Sequence, residues 1–212
     1  DGNSGNVAFS RITAVGNSVN EGIRINNNTG SVAVNTSLSL QNLSGSAIQI
    51  FGSSNSYTFQ NAEIIDPAGH AVNISGFTGT MDYFGSITHN LSTQSMIAID
   101  GSGGSVGFRD VSGNSLSTSS ANGISITNNN AGIFNFDTPV TTGTAATGVI
   151  ISNDTGSAIN FNALLTLGSG VNNGLELNNN SSSTFTRLTG GLDIDTTSGT
   201  GIFADGTGSA GM

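Results

Sequence analysis

The sequence predicts an all-β chain, a right-handed parallel β-helix (β-solenoid) with three short strands per coil of about 25 residues and about eight coils. Three observations predict it. Similar text returns every 24 to 27 residues, apolar side chains alternate with period two inside each repeat, and one fixed place in every repeat holds Asn or Gly.

The anchor of each coil is a strand of the pattern small, apolar, any, apolar: GIRI from Gly22, AIQI from Ala47, AVNI from Ala71, MIAI from Met96, GISI from Gly123, GVII from Gly148, GLEL from Gly174 and GIFA from Gly201. Successive anchors lie 25, 24, 25, 27, 25, 26 and 27 residues apart. A second strand follows each anchor: VAV at Val32, YTF at Tyr57, MDY at Met81, VGF at Val106, FNF at Phe134, INF at Ile159 and a weaker TFT at Thr184, with VAF at Val7 as an earlier member. A third is less regular: LSL at Leu38, EII at Glu63, SIT at Ser86, LLTL at Leu164 and LDI at Leu192. Three strands joined by three Gly, Asn and Ser turns make a triangular coil. The chain therefore reads as one domain, residues 1–212, with coil boundaries near 21, 46, 70, 95, 122, 147, 173 and 200. Strands of neighbouring coils pair about 4.8 Å apart, so eight coils span about 35 to 40 Å. The right hand follows from the preference of parallel crossovers for that sense.

Alternation assigns the faces, because residues two apart point the same way. The inward stacks are Ile23, Ile48, Val72, Ile97, Ile124, Val149, Leu175 and Ile202, beside Ile25, Ile50, Ile74, Ile99, Ile126, Ile151, Leu177 and Ala204. In the second strand Phe59, Phe108, Phe136 and Phe161 recur, with Phe9 as an earlier member, and predict an aromatic stack inside the tube.

Two residues beyond the second inward residue of each anchor stand Asn27, Gly52, Gly76, Gly101, Asn128, Asn153, Asn179 and Gly206. Gly and Asn are the residues that most readily enter the left-handed backbone region, so a corner of that conformation is expected in every coil. On this reading the asparagine run at Asn128 to Asn130 is a corner of the fold. Asn129 and Asn130 are expected to be looser turn residues that keep the tube edge wet.

Composition limits the chemistry. Only 8% of residues are charged, the net charge is −9 from four arginines and thirteen carboxylates, and Lys is absent. Such a chain repels a phosphate backbone, which argues against nucleic acid as a partner. Zero cysteines exclude disulfides and thiolate chemistry. No apolar run approaches the ~18 residues that cross a bilayer, and DGNSGNVAFS is neither basic nor apolar enough for a signal peptide, so no membrane insertion is expected.

Candidate sites are sparse. Asp193 and Asp195 in LDID point outward with Glu176 in the same coil, a solvated strand face or, less simply, a carboxylate pair of the kind that cleaves glycosidic bonds. Arg109 and Asp110 read as a turn ion pair rather than a dyad. His70 and His89 lie three-quarters of a coil apart, outside any metal spacing. The segments DGNSG, DGSGG and DGTGS, from Asp1, Asp100 and Asp205, are like calcium turns but lack the nine-residue period of a calcium β-roll. Sequons such as Asn27-Asn28-Thr29 and Asn179-Asn180-Ser181 arise readily in so Asn- and Ser-rich a chain. No outward column repeats Thr, against an ice-ordering face. Catalytic, cofactor and metal residues are accordingly assigned to none.

The coil length, the inward Ile, Val and Phe stacks, the NNNxG corners and the lack of cysteine resemble the β-helical repeat regions of large bacterial secreted and surface proteins, such as autotransporter passengers and filamentous haemagglutinin-like adhesins. The resemblance covers nearly the whole chain and implies a non-enzymatic structural or adhesive element, extracellular or at the cell surface, with surface glycans as possible ligands. A carbohydrate-binding or polysaccharide-cleaving β-helix is the alternative. With no amphipathic cap at either end, the chain is expected to continue a longer solenoid or to stack head to tail, Thr200 to Ala204 of one copy and Asp1 to Asn20 of the next completing one coil.

Overall fold

The structure is a computed structural model that describes residues 4–119, 122–143, 147–181 and 184–206, with nothing said of the Phe185 side chain. Every regular element among them is a strand. The first four coils contain β1 (Val7–Val15), β2 (Ile23–Asn26), β3 (Val32–Gln41), β4 (Ile48–Phe51), β5 (Ser56–Ile65), β6 (Val72–Ser75), β7 (Thr80–Thr88) and β8 (Ile97–Asp100). The next contain β9 (Ser105–Arg109), β10 (Leu116–Thr118), β11 (Ile124–Thr127), β12 (Ile133–Phe136), β13 (Val140–Thr142) and β14 (Val149–Ser152). The last are β15 (Ala158–Phe161), β16 (Leu165–Gly170), β17 (Leu175–Asn178), β18 (Phe185–Leu188), β19 (Leu192–Thr196) and β20 (Ile202–Asp205).

All pairing is parallel and runs from coil to coil, which makes the chain a parallel β-solenoid of about eight turns. The eight anchor strands form one sheet in the order β2-β4-β6-β8-β11-β14-β17-β20. The other sheet has twelve strands and forks at β7. Its stem is β1-β3-β5-β7; one branch continues through β9, β12, β15 and β18, the other through β10, β13, β16 and β19. The expected turn between second and third strands is thus absent from the first four coils. There the two strands run on as one, and the register shifts at the bend between Val34 and Leu38 and between Phe59 and Ala62. Asn61 takes a φ of 44° at that bend, so a bulge replaces a turn. The third strand is also more regular than its sequence signal: Leu116 and Val140 continue the inward column Leu40, Ile64, Ile87 toward Leu165 and Leu192.

The core occupies the tube. Both anchor columns are buried from Ile23 and Ile25 through Leu175 and Leu177, each such side chain contributing about 1.5 to 3 kcal/mol by leaving water. Ile202 and Ala204, expected inward, are exposed, because no further coil covers them among the described residues. The aromatic column reads Phe9, Val34, Phe59, Tyr83, Phe108, Phe136, Phe161, Leu188. Phe108 and Phe136 stack at 5.2 Å and 4°, Phe136 and Phe161 at 4.8 Å and 11°. The TFT segment at Thr184 enters the sheet two residues later than expected: Thr186 pairs with Ile159 and Leu188 with Phe161, which gives the apolar Leu188 the inward place.

The corners are where the repeat places them. All eight predicted positions have positive φ, from 47° to 61° at Asn27, Gly52, Gly76, Gly101, Asn128, Asn153 and Asn179, and 107° at Gly206. A further set of positive-φ residues, Asn42, Asp66 and Gly170, turns the chain after the third strand.

Candidate functional site

The outward cluster richest in charge is built along the axis. Arg109, the last residue of β9, donates from Nε to Asp82 Oδ1 at 2.7 Å and from Nη1 to Asp137 Oδ2 at 3.0 Å, binding the coils before and after its own. Asn162 Nδ2 donates to the other oxygen of Asp137 at 2.7 Å, and Thr189 Oγ1 donates to Asn162 Oδ1 at 3.0 Å. Gly107 makes the crossing possible, since a Cβ there would lie 2.4 Å from Arg109 Nε. The ion pairs of Arg109 are therefore with Asp82 and Asp137, and the expected turn pair with Asp110 gives way to them. Burial opposes the charge of Arg109, but the hydrogen bonds it donates to Asp82 and Asp137 outweigh it and raise the guanidinium pKa.

Asp193 and Asp195 are outward and exposed on β19, as expected. Glu176 lies on β17, in the other sheet, where Asn173 Nδ2 donates to its Oε1 at 2.6 Å. Asp193 and Glu176, third-strand and anchor positions of one coil, thus stand on separate sheets. The calcium-like turn at Asp100 is occupied by protein donors: Thr127 Oγ1 at 2.9 Å and Asn128 Nδ2 at 2.7 Å both bond its Oδ1. The similar segments at Asp1 and, from Thr207 onward, at Asp205 extend outside the described residues.

Both histidines are spent on main-chain carbonyls. His70 Nδ1 bonds the Ser95 carbonyl oxygen and His89 Nε2 the Gly69 carbonyl oxygen, each at 2.7 Å. A carbonyl can only accept, so Nε2 of His89 carries the proton, and its buried Nδ1 is left without a partner. Burial lowers the His89 pKa, with His70 adding to the effect while the Gly69 bond and Asp66 oppose it. Among the described residues, no three His, Asp or Glu side chains converge as a metal site would require.

A polar column that alternation missed runs inside the tube. The residue after each of the first seven corners turns inward: Asn28, Ser53, Phe77, Ser102, Asn129, Asp154 and Asn180 are all buried. Five of these side chains, those of Ser53, Ser102, Asn129, Asp154 and Asn180, accept a main-chain N–H from the coil before. The N–H of Ser102 donates to Asn129 Oδ1 at 2.7 Å, that of Asn129 to Asp154 Oδ1 at 2.8 Å, and that of Asp154 to Asn180 Oδ1 at 3.0 Å. Asn129, expected at a wet edge, is 0% exposed. The positive φ of Asn128 reverses the alternation, so the next side chain points in, where a polar group is stable only when hydrogen-bonded; the apolar Phe77 fills the same place in its own coil. The recurrence of Asn, Ser, Asp or Thr one place after seven of the eight corners, with Phe77 the exception, was the available signal.

The two ends of the described stack are of a different character. At the first, an open apolar recess of about 320 Å³ is lined by Val7, Phe9, Ile12, Ile23, Ile25 and Val32, and Phe9 is 42% exposed. At the last, Ile202 is 41% exposed beside Phe203. The outer edges of β1 and β2, and of β18, β19 and β20, have no partner strand among the described residues. No protein-family model, curated protein or solved structure matches this chain. The open edges can pair with further strands, whereas the enclosed polar clusters hold the coils together.

Proposed function

We propose that the chain is a non-enzymatic structural or adhesive segment of an extracellular or cell-surface β-solenoid, of the kind that bacterial autotransporter passengers and haemagglutinin-like adhesins carry. The observation that supports this reading is the use made of its polar side chains. Asp82, Asp100, Asp137 and Arg109 are committed to bonds between successive coils, and Asp193 and Glu176 stand on different sheets. Parallel pairing through eight anchor strands gives a stiff rod whose length grows by one strand spacing per coil.

The test is a screen of the purified chain against acidic and neutral polysaccharides, read for both retention and cleavage. The expected result is no turnover, with any binding unaffected by Asp193→Asn or Glu176→Gln. Cleavage that either substitution abolishes would replace this reading with that of a carbohydrate-cleaving β-helix.

A further inference from the structure

We propose that the turn joining β7 to β8 in the fourth coil, residues 89–96, is an acid-released latch, held shut on the third coil by the side chain of His89. The latch is independent of the structural reading above, and polysaccharide turnover would leave it standing.

Two turns of unequal length meet there. The third coil passes from β5 to β6 through residues 66–71, and the fourth from β7 to β8 through residues 89–96, two residues more. The surplus stands out from the tube, with Leu91 76% exposed and Thr93 and Gln94 exposed beyond it. Three bonds draw the longer turn back onto the shorter one. His89 Nε2 donates to the Gly69 carbonyl at 2.7 Å, Ser92 Oγ to the Ala68 carbonyl at 2.7 Å, and the Asn90 N–H to Asp66 Oδ1 at 2.6 Å.

The shorter turn is the fixed side. Its Ala68 and Gly69 N–H groups donate to the carbonyls of Leu43 and Gly45 in the second coil, the His70 N–H donates to Ser46 Oγ, and a Cβ on Gly69 would lie 2.6 Å from that oxygen. The longer turn is moored instead to the fifth coil, where the His89 N–H donates to the Ser117 carbonyl and Asn90 Oδ1 accepts from the Ser119 N–H. Its far end is held by His70, whose Nδ1 donates to the Ser95 carbonyl at 2.7 Å. When the contact between the turns fails, residues 90–94 are therefore the part that lifts.

Acid acts on one nitrogen. Neutral His89 carries its proton on Nε2 and leaves Nδ1 buried without a partner, so a second proton makes a buried cation with no acceptor. The ring takes that proton by swinging into water, which breaks its bond to Gly69. Asp66, after β5, and His70, before β6, are the titratable groups acting on it; β10, packed against the other side, brings Ser117 and Thr118, which do not titrate in this range. Burial, the largest effect, and the charge of His70 lower the pKa of the ring against the Gly69 bond and Asp66. Closure is thus complete above the ordinary histidine value, about 6.5, and is lost as pH falls through the folded pKa. Protonated His70 keeps its Nδ1 proton on Ser95, so the turn hinges there and β8 is undisturbed.

The test uses the whole chain, whose two histidines give two imidazole signals, told apart by the nitrogen that carries the proton in the neutral ring. Imidazole resonances and amide hydrogen exchange are followed from about pH 7.5 to about pH 5, above the usual carboxylate range. Protection of the Asn90 and Gln94 amides, corrected for the intrinsic rate at each pH, should fall by up to about tenfold per pH unit between about 6.5 and the pH at which His89 titrates, and recover on neutralisation. The amides of Val72–Ser75 and Ile97–Asp100 should keep theirs. His89→Gln, which can donate to Gly69 but takes no proton, should remove the fall, whereas Ser92→Ala should loosen the turn at every pH and leave the slope unchanged. Constant protection across that interval, a His89 signal that titrates at or above the ordinary value, or an equal fall in His89→Gln would overturn the latch. If the glutamine variant loses the circular dichroism of a sheet, the unsubstituted chain decides alone: a fall that lies outside the interval set by its own His89 titration refutes the proposal.

Discussion

The main-chain N–H of Asn129 donates to Oδ1 of Asp154 in the next coil at 2.8 Å, while Oδ2 of that fully buried carboxyl meets no partner. At the same column position Asn129 and Asn180 turn their amide groups to the carbonyls of Ile99 and Ile151. Asp154 offers an oxygen where its neighbours offer an N–H. Burial raises its pKa, against the hydrogen bonds of Asn129 and Ser157 that lower it, and Asp100 raises it further. A raised folded pKa means that the stabilisation is complete below the unfolded value, near 4, and is lost as pH rises through the folded pKa. Asp154→Asn restores the amide and should raise the melting temperature at neutral pH, by the equivalent of about 1 to 3 kcal/mol. The gain should shrink as pH is lowered toward 4, and thermal melts of both proteins across that window check it.

His89 works in the opposite direction. Its pKa is lowered by burial, so its contribution is present above the unfolded value, about 6.5, and is lost as pH falls through the folded pKa. His89→Gln should flatten the decline of melting temperature below neutrality without altering the trend due to Asp154. Melts of the single and double variants separate the two.

Asn128 holds a φ of 57°, which a β-branched residue tolerates poorly. Asn128→Val should cost about 1 to 2 kcal/mol from backbone strain, whereas Asn128→Gly is free of that strain and should lose only the hydrogen bond to Asp100. Ser125→Val on the adjacent strand face is the comparison: chemical denaturation showing an equal loss for both valines would refute the corner assignment.

Arg109 links three coils from a site that is about two-thirds shielded. Arg109→Ala should cost about 1 kcal/mol, screening having reduced the value of each pair, and the loss should be smaller in high salt. Gly107→Ala should reproduce most of it, since the added methyl occupies the path of the guanidinium.

Phe136 lies between Phe108 and Phe161 in the stack. Phe136→Ala should cost about 3 to 5 kcal/mol, and Phe9→Ala, at the exposed recess, far less. Denaturant midpoints distinguish them, and equal losses would contradict the burial of the column.

The anchor strands and their corners were legible because two independent signals coincide there: inward Ile, Val or Leu at period two, then a residue suited to positive φ. Leu116–Thr118 and Val140–Thr142 were missed because each is three residues long, with one inward aliphatic residue and a threonine beside it. The fused strands of the first coils escaped notice because their bends carry no repeated mark: Asn61 is one more asparagine among many, and Gly85 one more glycine. The inward polar column contradicts the rule that polar residues face out, and one left-handed residue is enough to invert that rule for the next side chain. Of the outward groups, Arg109 was noticed, but its true partners are 27 and 28 residues away, one coil in each direction. Axial neighbours are invisible to a reading that looks for partners along the chain.

The fork at β7 divides the molecule's mechanical behaviour. On one side of it the coil wall is a single bent ribbon; on the other it is two separate ladders that share only this strand. Gly85, at the bend of β7, sits so close to Ala62 that even a methyl group would displace the backbone. Tension drawn from the split end removes shorter strands one after another in chain order, whereas from the fourth coil back the second and third strands are one continuous strand and must detach as a unit.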